Sequence, residues 1–199
     1  MNVNQLSRRF FLQQASTLGI GAVSGFPMPD PAALLPVQTN APEPTAAQQR
    51  WMTLKFGLFV HFGINTYYDT EWSDGTLDPA KFNPTELDTD QWCRTAKAAG
   101  MNYIVLITKH HDGFCLWPSK ETTYSVAATP FSKDVLQLAV ASARKYGLKV
   151  GFYYSLWDRH EKTHDTDDWA YVEFMKKQLR ELLTNYGDIV ELWFDGFWK

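Results

Sequence analysis

The run Lys149-Val150-Gly151-Phe152-Tyr153-Tyr154-Ser155 decides how this chain is read. Successive residues of a strand point to opposite faces, so Val150, Phe152 and Tyr154 form an apolar set while Gly151, Tyr153 and Ser155 share the other side. The same division recurs on either side of it. In residues 56–63, Phe56, Leu58 and Val60 oppose Gly57, Phe59 and His61; in residues 188–196, Val190, Leu192 and Phe194 oppose Glu191, Trp193 and Asp195. One face of each strand is built to lie under helices, and the other mixes small, aromatic and polar groups.

With residues 103–110 as a further apolar run, four strands are expected. They alternate with helical patterns over residues 89–99, 133–146 and 168–186, each followed by a glycine (Gly100, Gly147, Gly187) where a left-handed cap belongs. Asp88 with Gln91 three residues on reads as a capping box for the first. In the third, Trp169, Val172, Met175, Leu179, Leu182 and Tyr186 recur at helical spacing and are assigned to the core. Strand and helix alternation of this kind marks parallel βαβ units in an α/β protein. An inner face that turns polar toward the carboxyl ends of the strands fits a (β/α)8, TIM-like barrel, of which about four units, the first half, are expected here. An open doubly wound sheet would bury both faces, and no GxGxxG or P-loop follows any strand.

Upstream, Ser7-Arg8-Arg9-Phe10-Phe11-Leu12 and the mildly apolar stretch to Phe26 read as a twin-arginine export signal, too short and too rich in Gly and Ser to span a bilayer. Residues 27–50, rich in Pro, Ala, Gln and Thr, read as a connector, and residues 51–199 as the partial barrel domain. Export to the periplasm or the medium is the expected localisation. A composition of 45% hydrophobic residues supports a packed core, and a formal charge of −3 without a basic run excludes an electrostatic footprint for nucleic acid or an anionic membrane. The two cysteines, Cys93 and Cys115, show neither CxxC nor a ladder of spacings, so no zinc site or disulfide framework is indicated.

Each strand closes on groups able to hold a polar ligand: His61, then His110-His111-Asp112, then residues 153–158, then Trp193-Phe194-Asp195-Gly196. Functional residues of a barrel come from the ends of several strands, so the four are expected to form one site. A metal centre is not expected. HxH and HExxH spacings are absent, and adjacent histidines on a strand should face opposite ways. No cofactor is expected either.

The segments Lys55-Phe56-Gly57-Leu58-Phe59-Val60-His61-Phe62-Gly63, Glu71-Trp72, Lys109-His110-His111-Asp112-Gly113-Phe114, Gly151-Phe152-Tyr153-Tyr154-Ser155 and Leu192-Trp193-Phe194-Asp195-Gly196 together resemble the successive motifs of the α-L-fucosidase family of retaining glycoside hydrolases. The resemblance implies hydrolysis of terminal α-L-fucosyl residues from a fucosylated oligosaccharide or glycoconjugate. It makes Asp195 the nucleophile and gives His61, Glu71, Trp72, His110, His111, Tyr153 and Trp193 to the sugar pocket. Tyr153 is preferred to Tyr154 because it shares the inward face with Gly151. Asp112 stays open between the pocket and the local turn, Phe114 between the pocket and packing.

A retaining glycosidase needs a second carboxyl group roughly 5 Å from the nucleophile. Glu191, four strand residues away, lies about 13 Å off and is expected instead to need a partner of its own inside the barrel. The resemblance gives Glu71 a hydroxyl-binding role and puts the acid/base beyond the nucleophile strand, so the chain is expected to stop before it. Two alternatives stand beside the fucosidase: a non-catalytic fucose-binding half-barrel, and another barrel glycosidase.

Overall fold

The computed structural model describes residues 42–196. The expected export signal over residues 1–26, and the expected connector up to residue 41, lie outside the described residues. Four parallel strands, β1 (Gly57–Val60), β2 (Tyr103–Lys109), β3 (Lys149–Ser155) and β4 (Glu191–Asp195), form one sheet in the order β1-β2-β3-β4. Among the described residues four α-helices accompany them: α1 (Ala46–Met52) before β1, then α2 (Thr89–Ala98), α3 (Val135–Lys145) and α4 (Asp168–Asn185) between successive strands. The expected elements are all present, shorter by a few residues at strands one and four.

Helix α1 begins inside the stretch expected to be a connector. The Thr45 hydroxyl accepts from the Gln48 N–H, and the Gln48 side chain accepts in return from the Thr45 N–H. That reciprocal pair is a capping box written into Thr45-x-x-Gln48. At α2, Asp88 accepts from the Gln91 N–H at 2.8 Å, which is the first half of the expected box. Gly100, Gly147 and Gly187 end α2, α3 and α4 at φ of 78°, 68° and 69°, as their positions required.

The face division read from the strands is realised as two separate apolar clusters. Ile104, Leu106, Val150, Phe152 and Tyr154 pack with Ala139, Val140 and Ala143 of α3 and Tyr171, Met175 and Leu182 of α4. Val105, Ile107 and Tyr153 make a smaller cluster on the opposite face. Burial at about 25 cal/mol per Å² of apolar surface makes the first the main stabilising element. The expected face of α4 holds for Met175, Leu182 and Tyr186, which are buried, and for Val172 and Leu179, which pack against the cluster, but not for Trp169. The buried residues within the helix are Tyr171, Met175, Gln178 and Leu182, while Trp169 is 81% exposed. Trp169 fits the three-residue spacing counted from the sequence, but Asp167 caps the helix just before it, and it falls two residues, more than half a turn, short of Tyr171.

The sheet is curled. Adjacent strands lie about 4.8 Å apart, so the outer two of four would be about 14 Å apart if flat. Yet Phe59 of β1 and Trp193 of β4 stack at 5.1 Å with planes 3° apart across the face opposite α3 and α4. At the amino end of the same strand the Trp51 indole N–H donates to Glu191 at 2.8 Å, the partner that the glutamate was expected to need. A Cβ at Gly57 would meet the Tyr103 ring at 2.5 Å, so any larger residue there would have to displace that ring.

Candidate active site

The carboxyl ends of the strands carry the polar side chains, and β3 and β4 set their spacing. Their register pairs Tyr153 with Trp193 and Ser155 with Asp195. Tyr153 donates to Asp195 Oδ2 at 2.6 Å, and the Gly196 N–H donates to Oδ1 at 2.7 Å. The Tyr153 hydroxyl holds the Asp195 carboxyl below its ordinary range; burial opposes it as the next largest influence, and Gly196 and the two histidines add lesser help. Burial, and then the bond to Asp195, push the Tyr153 phenol far up, so it remains a donor.

Strand β2 stops at Lys109, and the chain turns. Asp112 shapes that turn by accepting from the Phe114 N–H at 2.7 Å, and it is tied to Asn65 at 2.6 Å. Gly113, at φ +84°, lies so close to Asp158 that no side chain fits. Asp112 and Phe114, each left open between two roles, are buried in the turn and the core and also line the cavity at the strand ends. The turn also corrects the expectation about adjacent histidines. His110 and His111 lie beyond the strand, where alternation no longer applies, and their rings sit 4.2 Å apart on the same side. Ligand atoms of His110, His111 and Asp195 lie within 4.8 Å of one another, a grouping that strand parity had argued against.

His110 is 4.8 Å from the His61 ring and stacks on Tyr153 at 5.8 Å. Burial, then the charges of His111 and His61, push its pKa down to about 4, and its Nδ1 is buried without a hydrogen-bond partner. His111 Nδ1 lies 2.6 Å from the Ser155 hydroxyl and Nε2 lies 3.7 Å from Asp195 Oδ2. Burial lowers the pKa of His111 also, outweighing the attraction of Asp195. Both rings are therefore neutral hydrogen-bonding groups near neutral pH.

Around this centre, Glu71 joins His61, Thr70, His110 and Asp112 in lining a cavity of about 240 Å³. Trp72 presents its edge to His111 at 6.4 Å. Trp193 is placed less directly: it stacks on Phe59, which in turn touches Tyr153 and His61. The eight residues chosen from the sequence thus collect at one end of the sheet, with Trp193 at the margin.

Several participants went unchosen. Ser155 was visible on the inward face but unremarkable as a serine. Trp157 lies 5.1 Å from His111, and the Arg159 guanidinium stacks 4.3 Å over Trp72. Lys109 and Asp158 form a fully buried ion pair at 2.8 Å beneath the turn, where Asp158 also accepts from the N–H groups of His160 and Glu161. Burial alone would lower the Lys109 pKa, but the Asp158 carboxylate more than offsets it and the group stays charged. Lys109 belongs to the same sequence motif as His110 and His111; its partner 49 residues away carries no local signal.

A parallel α/β sheet whose polar and aromatic groups gather at the carboxyl ends of its strands belongs to the class of α/β proteins that bind and transform ligands there. The profile of the alpha-L-fucosidase family matches residues 77–199, and the chain belongs to that family. Alpha-L-fucosidase 1 of Arabidopsis thaliana is 40% identical over 190 residues, covering 94% of this chain and 36% of that protein. A glycoside hydrolase 29 family member from an unknown rumen bacterium superposes with a TM-score of 0.74 at 46% identity, over 77% of this chain and 28% of the other. A Bacteroides thetaiotaomicron alpha-L-fucosidase, solved as a trapped covalent intermediate with 2-fluoro-fucosyl fluoride, gives a TM-score of 0.69 at 32% identity, over 79% and 43%. The chain spans about a third of the length of the curated plant relatives it matches.

Proposed function

We propose that this chain supplies the nucleophile half of a retaining, exo-acting α-L-fucosidase. The observation that carries the reading is Asp195, an anionic carboxylate at a strand end, oriented by Tyr153 and Gly196 beside two neutral histidines. In this mechanism one Asp195 oxygen attacks the anomeric carbon of a terminal fucosyl residue while the glycosidic C–O bond breaks, giving a fucosyl-Asp195 ester. A second carboxyl group protonates the departing oxygen, then takes a proton from the water that cleaves the ester. That group is proposed to come from the part of the relatives' length that this chain does not cover. His61, Glu71, His110 and His111 hold the sugar hydroxyls, and Trp72 and Trp193 line its apolar face. The relative trapped as a covalent intermediate with a fucosyl fluoride supports a covalent path.

The four strand–helix units are read as half of a closed (β/α)8 barrel, which the curl bringing Phe59 onto Trp193 supports. Twin-arginine export to the periplasm or medium rests on residues 7–12 alone, and a fucosylated glycan is the proposed substrate.

Incubating the complete enzyme with 2-fluoro-fucosyl fluoride and digesting it tests the central step. A fucosyl adduct on the peptide containing Asp195, absent in Asp195→Ala together with hydrolysis, is the expected result. An adduct elsewhere, or an Asp195→Ala variant that still hydrolyses fucosides, would overturn it.

A further inference from the structure

The Ser155 hydroxyl is completely buried and has two polar neighbours. It lies 2.8 Å from the Trp157 carbonyl oxygen, which can only accept, and 2.6 Å from His111 Nδ1, which can accept or donate. A hydroxyl has one proton. Giving it to the imidazole would leave two oxygen lone pairs facing each other at 2.8 Å with no water to relieve them. The proton therefore goes to Trp157 O, and Ser155 Oγ accepts from His111 Nδ1–H.

A neutral imidazole carries one N–H, so the hydrogen bond at one nitrogen decides what the other can do. With the proton on Nδ1, Nε2 is a bare acceptor. It sits 3.7 Å from Asp195 Oδ2, itself an acceptor. Two acceptors in that relation are satisfied by a donor placed between them. Backbone bonds keep the arrangement rigid: Leu156 N–H donates to Asp195 O at 2.7 Å, and Arg159 N–H donates to His111 O at 2.9 Å.

We infer that Ser155 is a positioning residue that fixes His111 as its Nδ1–H tautomer, so that Nε2 accepts a hydrogen bond from a hydroxyl of the bound sugar rather than donating one to the nucleophile. Without Ser155 the carboxylate would draw the proton to Nε2. His111 would then occupy an Asp195 lone pair and lose its acceptor for the sugar, which weakens both attack and binding. Burial, which favours the neutral ring, is in keeping with this. The owner of the hydroxyl rests on the fucosidase reading; the tautomer is a property of the free protein.

Two-bond proton–nitrogen spectra of the complete enzyme, labelled with 15N-histidine and compared with His111→Gln to identify the signal, read the tautomer without substrate. Nδ1 protonated and Nε2 bare near neutral pH is the expected result; a proton on Nε2 overturns the inference. In Ser155→Ala the proton is expected to move toward Nε2, with kcat/KM on fucosides lower by about tenfold or more. A variant that keeps the Nδ1–H tautomer also overturns it, whatever happens to activity. Should Ser155→Ala fail to fold, the wild-type spectrum decides alone. An enzyme with the expected tautomer that leaves fucosides intact would remove the fucosidase reading and leave the tautomer assignment standing.

Discussion

Tyr153 and Asp195 are joined by a 2.6 Å hydrogen bond in which the phenol donates and the carboxylate accepts. The bond does two things at once: it holds the carboxylate in one orientation, and it is the largest influence keeping it ionised. Tyr153→Phe removes both. A hydrogen bond to a charged group contributes about 1.5–3 kcal/mol, so kcat/KM should fall roughly ten- to a hundredfold. The acid limb of the pH–rate profile should move to higher pH, since the influence that lowers the Asp195 pKa is gone. An unshifted limb would show that the phenol does not tune Asp195.

His110 makes stability depend on pH. Its pKa is pushed from 6.5 to about 4 by burial and by its neighbours. Between those values the unfolded chain takes up a proton that the folded chain refuses. The contribution of neutral His110 is thus complete above about pH 6.5 and is lost as pH falls toward about 4. Thermal melts of the complete enzyme should drop across that window, and His110→Gln should reduce the slope. An identical slope in the variant would reject the shift.

The Lys109–Asp158 pair is buried at both ends. Removing one partner of such a pair leaves an uncompensated charge and costs about 3–5 kcal/mol. Lys109→Met should therefore lower the urea midpoint strongly. Lys109→Met combined with Asp158→Asn should recover part of the loss, because the amide oxygen can still accept from His160 and Glu161. A double variant less stable than the single one would mean that the ion pair matters for more than charge balance.

Trp51 reaches from α1 to Glu191 on β4. Trp51→Phe keeps an aromatic ring but removes the indole N–H, and should cost about 1 kcal/mol. The melting temperature reports it, and Trp51→Phe with Glu191→Gln should lose less than the sum of the two single changes. Strict additivity would show that the two side chains do not interact.

The sequence by itself determined the order and type of the main elements, the two faces of the strands and the residues gathered at their ends. These follow from local rules: side chains alternate along a strand, helices close on a left-handed glycine, and motif residues lie close together in the chain. Where a local rule was carried past its range, it failed. Alternation assigned His110 and His111 to opposite faces, but the strand ends at Lys109, and Asp112 with Gly113 turns both rings to one side. Helical spacing placed Trp169 in the core, but two successive three-residue steps each fall short of a full turn, so Trp169 lies about 120° round the helix from Met175.

Only the tertiary structure decided which groups touch. The partner of Lys109 is 49 residues away, Glu191 finds Trp51 across 140 residues, and Ser155 meets His111 across 44. Such contacts leave no periodicity or spacing in the chain. They arise because curling the sheet and closing the turns brings distant hydrogen-bonding groups into a space without water, where each must find a partner. Asp195 was legible as a carboxylate at a strand end. That Tyr153 holds its pKa down, and that His111 sits beside it bonded to Ser155, follow from the packing around it.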